Sequence, residues 1–99
     1  MVTTNSSIDR KQRTMNTTGK VYSVNLQRGR VAVKTEDGFT ILEVVNEGDF
    51  RVGDTVQWTN GTDLGSQIYR NITKGTQVEV TVQNHWVAPE HLRHQLLLD

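Results

Sequence analysis

Between Gly19 and Gln83 the apolar residues fall at alternate positions in short runs, and turn-forming residues separate the runs. Alternation of this kind sends successive side chains to opposite faces of a strand, so that one face can be buried while the other stays wet. "VYSV" and "VAVKT" flank a polar turn containing Arg28 and Gly29. In the second run Val31 and Val33 share one face, and Arg30, Ala32 and Lys34 share the other. Asp37-Gly38 is a hairpin signal ahead of "FTILEVV", because glycine accepts the positive φ that a tight turn demands. In "TVQWT" Val56 and Trp58 oppose Thr55, Gln57 and Thr59, and "QIYRNIT" follows after Asn60-Gly61. "QVEVTVQ" is the cleanest alternation, with Val78, Val80 and Val82 expected inward. The period changes at "APEHLRHQLLL", where Pro89 suits a first helical turn and Leu92 and Leu96 stand four apart, predicting an amphipathic helix of about three turns. Six short strands and one terminal helix predict an all-β fold, a small five- to six-stranded antiparallel barrel with a short C-terminal α-helix.

Residues 1–18 are polar and without period, and read as a flexible leader. Residues 19–99 read as one β-barrel domain whose final strand and helix occupy about 76–98. No run approaches the roughly eighteen apolar residues of a membrane span, and the N-terminal stretch has no apolar core of a signal peptide. A cytoplasmic protein without membrane association is therefore expected. Four N-x-S/T triplets, at Asn5, Asn16, Asn60 and Asn71, read as accidents of a Thr- and Asn-rich chain. The absence of cysteine excludes disulfides, thiolate metal sites and thiol nucleophiles. The formal charge is zero overall but divided: residues 1–34 carry seven Lys/Arg against Asp9, and residues 35–99 carry four against ten Asp/Glu. Such a split suits either a polyanion-binding face or attraction between parts or copies of the fold.

The stretch "GKVYSVNLQRGRVAV", Gly19 to Val33, resembles the opening of the cold-shock domain, a five-stranded OB-type barrel. Gly19, Val21, Asn25 and Gly29 match, and Arg28 and Val33 match conservatively. "FRVGDTVQW" and "GSQIYRNIT" (with one inserted residue) are similar to later stretches of that family, so the resemblance runs in order over about residues 19–73. The last strand and the helix have no counterpart in it. The resemblance implies single-stranded RNA or DNA as ligand, held by bases stacked on surface aromatics, each worth about 1–3 kcal/mol. At the matching positions stand Ser23, Arg30 and Ala32, and the second aromatic motif falls on "TILEVV", with Glu43 near its histidine position. The stacking surface is therefore expected to be lost, leaving weak binding through phosphate charge. The candidate nucleic-acid-binding residues are Lys20, Tyr22, Arg28, Arg30, Lys34 and Tyr69. The two tyrosines are included because they fall opposite the apparent core registers, Tyr69 lying between Ile68 and Ile72.

Trp58 alternates with Val56 and reads as core, Phe50 as a plug at one barrel end, and Trp86 as a staple against Leu92 or Leu96. His85, His91 and His94 read as structural, with no metal and no cofactor expected. No catalytic arrangement of Ser, His and Asp, phosphate loop or carboxylate pair has supporting context, and the chain reads as non-enzymatic. Leu96, Leu97 and Leu98 exceed one helical stripe. They point to contact with a protein partner or a second copy through the last strand and helix, or to a helix that simply covers the barrel bottom.

Overall fold

The computed structural model describes residues 16–59 and 62–98, so all but the last three residues of the expected leader lie outside the described residues. Six antiparallel strands form the wall: β1 (Thr17–Asn25), β2 (Arg30–Thr35), β3 (Gly38–Glu43), β4 (Thr55–Trp58), β5 (Gly65–Asn71) and β6 (Thr76–Val87). They close into a barrel in the order β1-β2-β3-β6-β5-β4, with β4 paired back onto β1. The last strand is no appendage. It is the longest, and it joins β3 to β5 by pairing with both.

Alternation fills the interior as the sequence predicts. Val21, Val31, Val33, Leu42, Val56, Trp58, Val78, Val80 and Val82 form the inner core with Phe50 and Tyr69. Two of the glycines that carry the resemblance have steric reasons to be glycine. A Cβ on Gly19 would stand 2.6 Å from the Lys34 carbonyl oxygen, and one on Gly29, at φ 65°, would stand 2.5 Å from that of Val44. Both approaches are too close for a side chain.

One polar network ties the β4 approach to the β5–β6 turn. Asn71 is fully buried, and its Nδ2 donates to the Asp49 carbonyl at 2.9 Å and to Asp54 Oδ2 at 2.8 Å. The same Asp54 oxygen accepts the Arg51 amide, while Asn71 Oδ1 accepts that of Lys74. The buried amide is thereby satisfied on both its donor and acceptor sides.

A second, separate cluster lies on the outside of the wall: Ala32, Phe39, Ile41 and Val87 with Leu92 and Leu96. After β6 the chain makes a 3-10 turn, Pro89–His91, and a single helical turn, α1 (Leu92–Gln95). The helix is thus shorter than the three turns expected, and it covers the outer wall over β2 and β3 rather than the barrel bottom. Its end has Leu97 at φ 61°, with the Leu97 amide donating to His94 O and that of Leu98 to Arg93 O. That is the hydrogen-bond pattern of a left-handed helix cap, here without the usual glycine. Trp86 does not staple the helix. It sits at φ 57° and is 62% exposed, and Val87, one residue later, packs against the helix instead. β6 pairs irregularly with β3 along this stretch, which re-aims its last side chains.

Candidate functional site

The six candidate residues do not form one site. Lys20 and Lys34 stand directly opposite each other in the β1–β2 ladder, both exposed. The register then slips between Val21 and Ser23, leaving Tyr22 as the unpaired bulge residue. A bulge bends its strand and re-aims a side chain, and Tyr22 is 54% exposed on the outer face. Its ring meets that of Phe39 edge-on, with centroids 5.0 Å apart. Like charges placed directly opposite destabilise a sheet, so Lys20 and Lys34 form a focus of positive potential beside an exposed ring. Glu36 and Asp37 occupy the adjoining β2–β3 turn and bound that focus on one side.

Arg28 belongs elsewhere. It lies in the β1–β2 turn, six residues before Lys34 and so roughly 20 Å away along the strand direction. There it lines a recess of about 300 Å³ with Val24, Leu26, Val44 and Val45. A neighbouring recess of about 460 Å³ is lined by Val24, Leu26, Gly48, Phe50, Arg51 and Val52. Arg28 therefore marks the barrel mouth, not the strand face.

Arg30 faces outward, as its alternation predicts, but it is held by the chain itself. Its Nη1 donates to the Gln95 carbonyl at 3.1 Å, and its Nε lies 3.9 Å from Glu43 Oε2. Asn25 Nδ2 donates to the Leu96 carbonyl at 2.8 Å. Cationic and amide donors at a helix C-terminus meet carbonyls that the helix leaves unpaired. Ala32 likewise faces outward as expected, yet the helix buries it completely.

Tyr69 is corrected outright. It is 1% exposed, inside the barrel, with its ring stacked on that of Trp58 at 4.4 Å and 5° between planes. Burial pushes its phenol well above the usual range. Ile68 and Ile72 are the exposed apolar residues of that stretch. Two isoleucines suggested the opposite register. The decisive partners, the Trp58 ring and the Asp54 carboxylate that Asn71 must reach, are distant in sequence.

The histidines are not gathered. Nε2 of His85 donates to the Asp63 carbonyl at 3.1 Å, leaving Nδ1 to accept the Thr40 hydroxyl at 2.9 Å. Among the described residues no three His, Asp or Glu side chains are grouped to hold a metal ion. No helix among them is long and apolar enough to cross a membrane.

The residue missed in the sequence is Phe39. It lies on the outer face, opposite Lys34 and against Tyr22, although it precedes the segment aligned with the aromatic motif. Its signal was its alternation with Ile41, which placed both residues away from the inward Leu42. The chain matches no family model, no curated protein and no solved structure.

Proposed function

We propose that the protein is a non-catalytic, cytoplasmic binding module, related to cold-shock barrels, that holds single-stranded RNA or DNA weakly through its phosphates. The observation carrying this reading is the Lys20–Lys34 pair beside the exposed Tyr22 bulge. A phosphate between the two ammonium groups would offset their repulsion, and a base could stack on Tyr22. Arg28, at the far end of the same hairpin, lies within reach of a strand several nucleotides longer. Arg30 and Tyr69 take no direct part in the site as it stands.

The test is anisotropy of a labelled oligo-dT and its RNA counterpart, titrated across a salt series. Lys20→Ala and Lys34→Ala are each expected to lessen the salt slope by about 0.7, the value for one phosphate contact on a single strand. Tyr22→Ala is expected to weaken binding at every salt, by about fivefold or more. Flat titrations of the unaltered protein at low salt, where charge acts most strongly, would end this reading.

The alternative is a protein contact or self-association through the last strand and helix. β6 pairs with β5 along residues 76–82 and with β3 along residues 81–87, meeting both neighbours only at Thr81 and Val82. Leu97 and Leu98, still partly exposed at the end of the helix, are what favours it.

A further inference from the structure

We infer that the C-terminal turn and helix, residues 89–98, form a displaceable cover over the second half of the binding face. The inference rests on the single-strand reading above and adds its regulation and two further ligand residues, Phe39 and Arg30. Four observations carry it. Phe39 is 5% exposed because the outer cluster with Leu92 and Leu96 closes over it, while its edge touches Tyr22, which stays open. Arg30, on the same face, is held at the helix's last carbonyls. Its Nε is buried without a hydrogen-bond partner among the described residues, so the closed state satisfies this guanidinium only in part. The end of β6, just before the cover, contains Trp86 at φ 57°, a conformation strained for a bulky side chain.

The cover is also weakly built. It consists of a 3-10 turn and one helical turn, with no side-chain cap at either N-terminus and two leucines seated on the wall. Lifting it leaves the inner core intact, since the two clusters share no residue. The uncovered face would present Lys20, Lys34 and Arg30 around Tyr22 and Phe39, that is, three cations and two adjoining rings. Bases stack on such rings and phosphates meet such cations in sequence-tolerant single-strand binding. In the closed state the Gln95 and Leu96 carbonyls occupy the donors of Arg30 and Asn25 that a phosphate would otherwise meet. Ligand and cover therefore compete.

Two measurements test this. In the first, Leu92→Ser/Leu96→Ser is compared with the unaltered chain by anisotropy on oligo-dT. The variant is expected to bind at least about fivefold tighter, with a salt slope steeper by about 0.7. Adding Arg30→Gln should remove the extra slope, and adding Phe39→Leu the extra affinity. If the unaltered chain binds and the variant binds no tighter, the cover is refuted while the reading of the open site stands. If neither binds at low salt, both fall. The second measurement needs no variant: hydrogen exchange of the unaltered chain with and without saturating oligo-dT. The amides of Leu96, Leu97 and Leu98 donate within the cover, and are expected to exchange faster with ligand bound. Unchanged or slower exchange at these three amides, with binding established, overturns the inference.

Discussion

Tyr69 has a buried hydroxyl without a hydrogen-bond partner among the described residues, and so does the indole N–H of Trp58 beneath it. An unpaired buried donor costs about 1–3 kcal/mol, so Tyr69→Phe is expected to leave the protein at least as stable at neutral pH. The folded-state phenol is shifted upward by burial. Stability should therefore be level up to the unfolded phenol's pKa, near 10, and then fall by about 1.4 kcal/mol per pH unit as only the unfolded chain ionises. Urea melts at neutral and at alkaline pH should show that loss in the native chain and a shallower one in Tyr69→Phe. An identical alkaline slope in both would contradict the assignment. Trp86 is the other residue whose local cost is plain from the backbone. Glycine adopts its φ without strain, so Trp86→Gly is expected to raise stability by about 1 kcal/mol, visible as a rise of several degrees in Tm. A lowered Tm would mean that the indole packs better than its exposure suggests.

At the scale of elements, β4 and β5 depend on the buried Asn71 network more than on ladder bonds, since the two strands pair at only two positions. Asn71→Ala would strip a donor from both the Asp49 carbonyl and the buried Asp54 carboxylate. The expected loss is about 2–3 kcal/mol, readable in chemical denaturation; a loss under about half of that would show the loop re-pairing by itself. The alternation of β2, β4 and the first part of β6 could be read directly from the chain, because each offered its bulky apolar residues at only one parity. β5 could not be read so. Ile68, with Ile72 just past the end of the strand, stands at one parity and Tyr69 with Asn71 at the other, and only the strand's neighbours decide between them. The helix was found, but its length was overestimated. Leu92 and Leu96 obey the helical spacing, yet only one turn lies over apolar wall, and short helices hold only where packing supports them.

For the molecule as a whole, the consequence is two clusters of unequal security. The inner core is held by strands closed in a ring. The outer one depends on the terminal segment, and units with few apolar contacts open at lower free energy than the core. In a hydrogen-exchange series at rising sub-denaturing urea, the amides of Leu96 to Leu98 are expected to lose protection before those of Val78 to Val82. Simultaneous loss would show the cover and barrel to be one cooperative unit. The charge division of the sequence also resolves at this scale. The basic residues of the first hairpin do not form one stripe: Lys20 and Lys34 are open, Arg30 is bound to the helix end, and Arg28 has gone to the mouth.

The sequence by itself determined the fold class, most of the inner core and the placement of Lys20, Tyr22 and Lys34 on the wet face. Strand alternation is a local property, and turn residues mark where each run must stop. Tertiary structure decided whatever depended on contact between distant segments. It turned Tyr69 inward to meet Trp58, put β6 into the wall, brought Phe39 beside Tyr22, and folded residues 89–98 over Ala32 and Arg30. Alternation states that a side chain faces outward, but only the folded chain shows whether what lies outside is water or another part of the same protein.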